Sequence, residues 1–101
     1  MSFRVRFTPD AQSDLDRLYD FILERDEDLV PAERALAAIR TGIAFLETSP
    51  FSCRKAMDGN AFLRELIIPF GAAGYVALFE IEDARTVTIL AVRHQREDDF
   101  H

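Results

Sequence analysis

The chain has 101 residues, 49% of them hydrophobic, and this length suits one domain with a single core, residues 1–101. Its formal net charge of −6 comes from one segment: residues 10–28 hold eight acids and two arginines, and the remaining residues hold ten acids and ten bases. One cysteine, Cys53, excludes an internal disulfide, and no Cys or His pair has the spacing of a zinc site. Composition therefore predicts a single domain with no metal and no cofactor.

The N-terminal segment alternates between apolar and basic residues. Phe3, Val5 and Phe7 share one face of a predicted strand, and Arg4 and Arg6 share the other. This alternation is not typical of a signal peptide, and no apolar run reaches the roughly 20 residues of a membrane span. We therefore expect a soluble, cytoplasmic protein with no membrane partner.

Two amphipathic helices follow the first strand. Thr8 and Pro9 suit the N-cap and first position of a helix that continues to an acidic turn at residues 24–28. A second helix is predicted to begin near Pro31 and to end at Ser49-Pro50. These helices should form a hairpin, and residues 50–60, which lack periodicity, should form a loop.

Three apolar runs end the chain, at about residues 61–68, 74–82 and 86–93. The connections at 69–74 and 82–85 are short enough for hairpins, which predicts an antiparallel meander. The predicted fold is α+β: an N-terminal strand, a two-helix hairpin and a three-stranded meander, forming one sheet with the helices on one face.

Cations interrupt two of the predicted strands. Arg64 lies within the apolar run 62–68, and Arg93, His94 and Arg96 end the last run. A buried guanidinium without a partner is costly, so Arg64 either reaches the sheet edge, pairs with an acid, or contacts an anionic partner. Histidine as a residue type often transfers protons in enzymes, which makes His94 a candidate, although most histidines are structural.

Several of these segments together resemble the RelE/ParE family of toxins from bacterial type II toxin-antitoxin systems. The resemblance covers nearly the whole chain. The residues that carry it are Phe7-Thr8-Pro9-Asp10-Ala11, Asp14-Leu15, Leu63-Arg64-Glu65, Gly74-Tyr75-Val76-Ala77-Leu78-Phe79-Glu80-Ile81, and the run from Thr86 to Arg96.

This resemblance implies one of two activities. ParE-like members inhibit DNA gyrase, whereas RelE-like members are endoribonucleases that cut messenger RNA on the ribosome. The family pattern has arginine after the tyrosine of the third strand, but here Val76 follows Tyr75. We therefore favour a ParE-like gyrase inhibitor that acts by protein contact and not as an enzyme, associated with plasmid stabilisation. The alternatives are a RelE-like nuclease and a member that only forms a regulatory complex.

The resemblance also implies site residues and a partner. A nuclease would use Arg64, His94 and Arg96, whereas contacts to the target or antitoxin would involve Arg64, Arg93, His94, Arg96 and Tyr75. The expected partner is a DNA-binding antitoxin similar to ParD or RelB, whose disordered segment folds into an apolar groove. The candidate groove residues are Leu15, Tyr19, Ile22, Leu36 and Ile39.

Overall fold

The computed structural model describes residues 2–96, which form two helices and a five-stranded sheet. The elements in chain order are β1 (Arg4–Phe7), α1 (Pro9–Asp26), α2 (Leu29–Ala44), β2 (Arg54–Lys55), β3 (Leu63–Phe70), β4 (Ala73–Ile81) and β5 (Thr86–His94). Short 3-10 turns at Phe45–Glu47 and Pro50–Ser52 connect α2 to β2. In the described residues, no helix combines the length and apolar character needed to cross a membrane.

The strand order in the sheet is β1-β5-β4-β3-β2. β3, β4 and β5 form the predicted antiparallel meander, and β1 pairs in parallel with β5. The α+β fold predicted from the sequence is therefore confirmed. The loop predicted at residues 50–60 is wrong in part, because it contains β2, which pairs with β3 through Arg54–Glu65 and Lys55–Arg64.

The helices begin and end at different residues than the periodicity predicted. α1 continues to Asp26, so the predicted turn at 24–28 shrinks to Glu27 and Asp28, with Glu27 at a φ of 51°. α2 begins two residues before Pro31, because the Asp28 carboxylate accepts the backbone N–H of Val30 and caps the helix. It ends at Ala44, earlier than predicted.

The start of α1 is attached to the last strand. The Thr8 side chain accepts the N–H of Ala11 at 3.1 Å and donates to the carbonyl of Leu90 at 3.3 Å. The buried carboxylate of Asp14 accepts the N–H of Val92 at 2.9 Å. Leu90 is the extra residue of a bulge in β5, so these side chains bind backbone groups that the irregular strand leaves available. Two residues that carry the family resemblance are thus structural.

The hairpin between β3 and β4 is tighter than the predicted connection at 69–74. Pro69 pairs with Gly74 and Phe70 with Ala73, which leaves only Gly71 and Ala72 in the turn. A Cβ on Gly74, where φ is 151°, would collide with the carbonyl oxygen of Ile68. Glycine is therefore required there for the two strands to approach each other this closely.

The core lies between the two helices and one face of the sheet. Phe79, Ile89, Ile39 and Leu46 are among its fully enclosed side chains. α2 packs closely on β3 at Gly42, where an added Cβ would lie 2.8 Å from the Ile68 side chain. The two helices therefore cover the core face of the sheet closely at this point.

Candidate functional site

Arg64 lies at the beginning of β3 and binds three backbone carbonyls. Its Nε donates to Ala61 at 2.8 Å, and its Nη1 donates to Cys53 at 2.7 Å and to Phe51 at 3.1 Å. The guanidinium also lies 5.4 Å from the ring centre of Phe51. These carbonyls belong to irregular segments, which lack regular backbone partners, so Arg64 joins the two ends of the segment between Phe51 and Ala61. Its contact with a target or antitoxin remains a prediction.

The three nuclease candidates do not converge. Arg64 in β3 is the cross-strand partner of Phe79 in β4, and His94 in β5 is the cross-strand partner of Tyr75 in β4. These two β4 positions are four residues apart, which corresponds to about 13 Å of strand. Arg64 and His94 also lie on opposite sides of β4, and Arg96 follows two residues after His94. The backbone therefore does not bring the three side chains to one point.

The cations at the end of β5 separate onto two faces. Because neighbouring strand residues point to opposite faces, Arg93 lies on the face away from His94. Arg93 is the cross-strand neighbour of Val76, which is only 3% exposed and occupies the position of the family arginine. The predicted cluster of Arg93, His94 and Arg96 is therefore not one surface.

An open cleft of about 670 Å³ lies at the other end of the sheet from Arg64. It lies between the C-terminal half of α1, the turn joining β3 to β4, and the end of β5. The lining residues are Arg17, Leu18, Phe21, Ile22, Arg25, Pro31, Phe70, Gly71, Ala72, Ala73, Tyr75, His94 and Arg96. Of the predicted contact residues, the cleft brings together Tyr75, His94 and Arg96, whereas Arg64 and Arg93 lie outside it.

Two arginines of the cleft come from α1 and were absent from the sequence-based prediction. Arg17 lies 3.9 Å from Asp14, and Arg25 pairs with Asp26 through two contacts of 2.9 and 3.0 Å. The Arg25 guanidinium also lies 5.7 Å from the ring centre of Phe21. Arg17, Phe21 and Arg25 are spaced by four residues, so they share one helix face. This four-residue spacing is the feature of the sequence that could have identified the two arginines as members of one surface.

Aromatic rings form the sheet side of the cleft. Tyr75 contacts His94 edge-on, with ring centres 5.5 Å apart, and Phe70 at 6.0 Å. Burial raises the pKa of Tyr75, and the nearby charge of Arg25 opposes part of that rise. His94 Nδ1 accepts the backbone N–H of Arg96 at 3.1 Å, so Nε2 carries the proton in the neutral ring.

The predicted groove residues do not line one open surface. Ile22 and Ile39 are 5% and 2% exposed and belong to the core, and only Ile22 borders the cleft. Leu15, Tyr19 and Leu36 are half-buried on the helical hairpin. The Tyr19 hydroxyl donates to the Glu33 carboxylate at 3.0 Å, which joins α1 to α2 and raises the tyrosine pKa.

Chemically, the cleft is cationic and aromatic. Among residues 2–96, its lining combines three arginines and a histidine with three aromatic rings and includes no aspartate or glutamate. Within residues 2–96, no group of three or more His, Cys, Asp or Glu side chains could hold a metal ion. The cleft is thus suited to binding a ligand that carries both anionic and apolar groups.

The chain matches the family model described as the ParE toxin of type II toxin-antitoxin systems, parDE, over residues 5–99. Its fold is similar to a solved structure from the chromosomal ParDE TA system of P. aeruginosa, with a TM-score of 0.73 and 18% identity over 92% of this chain and 96% of that one. It is also similar to a chain of the toxin-antitoxin complex RelBE2 from Mycobacterium tuberculosis, with a TM-score of 0.62 and 28% identity over 96% and 95%. No curated protein matches. Since the family match covers nearly the whole sequence, this chain belongs to the ParE toxin family of type II toxin-antitoxin systems.

Proposed function

We propose that this toxin inhibits DNA gyrase through protein contact, in the cytoplasm, and that a cognate DNA-binding antitoxin neutralises it. The match to the ParE toxin family supports this activity over RNA cleavage. On this proposal, the chain is not an enzyme, and its biological role is the stabilisation of the plasmid or chromosomal region that encodes the pair.

The observation that carries the proposal is the separation of the cationic side chains that a nuclease would need. RNA cleavage through the 2'-hydroxyl requires a base, an acid and positive charge around one phosphate. Here Arg64 is held by the carbonyls of Cys53, Phe51 and Ala61, about 13 Å of strand from the level of His94. The arginine that the family carries after the tyrosine of this strand is replaced here by Val76, which is buried.

The antitoxin part of the proposal has separate support. Both similar structures are described as toxin-antitoxin systems or complexes. The helical hairpin in this chain also exposes apolar side chains, with Phe21 of α1 at 59% and, at the start of α2, Leu29 at 57% and Val30 at 51% exposure. Neighbouring exposed apolar residues of this kind are typical of a surface that a partner covers.

The test compares two purified systems. The toxin is added to DNA gyrase with relaxed plasmid, and separately to ribosomes translating a defined messenger RNA. We expect loss of supercoiling, intact transcripts, and recovery of supercoiling when purified antitoxin is added first. Transcript cleavage that depends on ribosomes, with normal supercoiling, would instead assign the RelE-like activity.

A further inference from the structure

A groove lies at the end of the sheet near Arg64, opposite the cleft. It has a volume of about 710 Å³ and lies between an aromatic pair, Phe51 and Phe62, and the turn that joins β4 to β5. The two rings contact each other edge-on, with ring centres 6.1 Å apart. Phe51 is 51% exposed and Phe62 is 53% exposed, so water contacts about half of each residue. Neighbouring exposed aromatic rings are typical of a surface that a partner covers.

The backbone that carries these two rings is held in place. Arg64 donates to the carbonyl of Phe51 at 3.1 Å, and its guanidinium lies 5.4 Å from the Phe51 ring centre. The Asn60 side chain accepts the N–H of Phe62 at 3.0 Å, and the Phe62 carbonyl accepts the N–H of Ile81 at 2.8 Å. Groups that are already fixed lose little conformational freedom when a partner binds, which favours affinity. Arg64 therefore supports this surface by holding Phe51.

Carboxylates form the other wall of the groove. Glu80 and Glu82 border it, and among the described residues neither side chain has a hydrogen bond or an ion pair. Asp83 borders it too, but its carboxylate accepts the backbone N–H of Arg85 at 2.8 Å, which lowers the pKa of Asp83 and engages the group in the turn. Arg64 binds backbone carbonyls, and in the part of the chain that the structure describes no lysine or arginine lines the groove. Glu80 and Glu82 therefore remain available to a cation of a partner.

We propose that this groove binds a segment of the inhibited target protein in which a lysine or arginine lies next to an apolar side chain. The apolar side chain contacts Phe51 and Phe62, and the cation contacts Glu80 and Glu82. An exposed aromatic ring also attracts a cation to its face, so both walls of the groove favour positive charge. The inference rests on the proposed function in taking gyrase as the target.

A protein segment fits this groove better than a nucleic acid does. Bases could stack on Phe51 and Phe62, but the phosphates of the same strand would then meet the unpaired carboxylates of Glu80 and Glu82. Salt does not remove this repulsion inside the groove, because charges still act over about 8 Å at physiological ionic strength. A basic and apolar peptide segment satisfies both walls.

The first test compares two double variants of the full chain. Glu80→Gln, Glu82→Gln removes the unpaired charges of the groove, and Asp16→Asn, Glu24→Gln removes two exposed acids of α1. Each double variant changes the formal charge from −6 to −4, since two negative charges are removed. Calorimetry measures the affinity of each variant for purified gyrase, and thermal melting checks that both variants fold. We expect about a ten-fold loss for the groove variant and a change of less than about two-fold for the control. Equal changes would show a general charge effect and overturn the proposal.

The second test removes the aromatic wall. Phe51→Ala, Phe62→Ala should weaken gyrase binding about 30-fold, because truncation of buried aromatic anchors dominates the energetics of most protein interfaces. The control is Phe45→Ala, Ile67→Ala, which removes two apolar side chains of residues that are 45% and 39% exposed and do not line the groove. Unaltered affinity in the Phe51 and Phe62 variant, or equal losses in both variants, would overturn the proposal.

The outcomes separate this inference from the proposed function. If the unchanged protein does not bind gyrase, both are overturned. If it inhibits supercoiling and the groove variants inhibit equally well, gyrase remains the target and the groove is not the contact surface.

A third measurement keeps the test decisive if a groove variant does not fold. The unchanged protein, labelled with nitrogen-15, is titrated with the blocked hexapeptide KRLFKR and with its neutral counterpart QQLFQQ. We expect the basic peptide alone to shift the amides of Phe62, Ile81 and Glu82. Equal shifts with both peptides, or larger shifts of these amides with a single-stranded RNA oligomer, would each overturn the proposal.

Discussion

The two ends of the sheet use arginine in different ways. At the end near β2, Arg64 gives its donors to three backbone carbonyls and holds an irregular segment in place. At the other end, Arg25 pairs with the neighbouring Asp26 and lines an open cleft together with Arg96. The contrast shows that a cation within an apolar strand is not evidence of a partner until the atoms that accept its hydrogen bonds are known.

The largest effect that we predict is at the cleft end, and it comes from the backbone. Gly74→Ala should lower the free energy of unfolding by about 3 kcal/mol or more, because the new Cβ collides with the carbonyl of Ile68. Urea unfolding measures this. Gly59→Ala is the control: Gly59 also has a positive φ, of 83°, but no atom lies within 4 Å of the added Cβ, so a cost of about 1 kcal/mol is expected. Equal losses of unfolding free energy in the two variants would mean that the contact with the Ile68 carbonyl is not what requires glycine at position 74.

Arg64→Ala should have the next largest effect. Removal of the guanidinium leaves three carbonyls to be solvated by water alone, and we expect a loss of about 2 kcal/mol in urea unfolding. Arg54→Ala is the control, since Arg54 is 61% exposed and its ion pair with Glu65 contributes about 0.5 kcal/mol. If Arg64→Ala abolished toxicity while the urea midpoint stayed unchanged, Arg64 would be a contact residue, and the difference between the two ends would disappear.

The cleft arginines should matter much less for stability. The double change Arg25→Gln, Arg96→Gln is expected to leave the midpoint of urea unfolding nearly unchanged, because exposed ion pairs stabilise little. Arg64→Gln provides the matched comparison and should cost about 2 kcal/mol, because glutamine cannot reach the three carbonyls. A large loss in the double variant would show that the cleft arginines are structural as well.

The smallest effect appears only at alkaline pH. Burial raises the pKa of Tyr75 above the ordinary value of 10.0, so the folded state holds this proton more tightly than the unfolded state does. The stability that this proton gives to the folded state is therefore complete below about pH 10 and is lost as the pH rises through the folded-state pKa. The titration is followed by phenolate absorbance. Comparison of the unchanged protein with Tyr75→Phe separates the titration of Tyr75 from that of Tyr19, the other tyrosine. A Tyr75 titration at or below pH 10 would mean that water reaches the cleft wall freely.

Local chemistry made much of the fold predictable. The Thr8 cap, the alternation in β1 and the three apolar runs were sufficient for the element order and the meander. The tight hairpin was not predicted, because residues 69–74 were all assigned to the connection between the strands. Pro69 remains within β3 because β2 pairs only with residues 64 and 65, so Pro69 lies on an uncovered edge where no donor is needed.

The site was less predictable than the fold. Tyr75, His94 and Arg96 were identified through the family resemblance, and the structure places them together in the cleft. Arg17 and Arg25 reach the same cleft from α1, and only the packing of that helix on the sheet brings them near residues about 70 positions later. Ile22 and Ile39 follow the apolar stripe correctly, but a stripe does not show which of its members the core encloses.

The parallel pairing of β1 with β5 has a consequence for how the toxin is made. The first and last strands are neighbours, and Asp14 binds the backbone of Val92, so the sheet closes only after the final strand has been synthesised. Contacts between residues so distant in sequence also form slowly. During translation the nascent chain is therefore unable to complete its fold until β5 has left the ribosome.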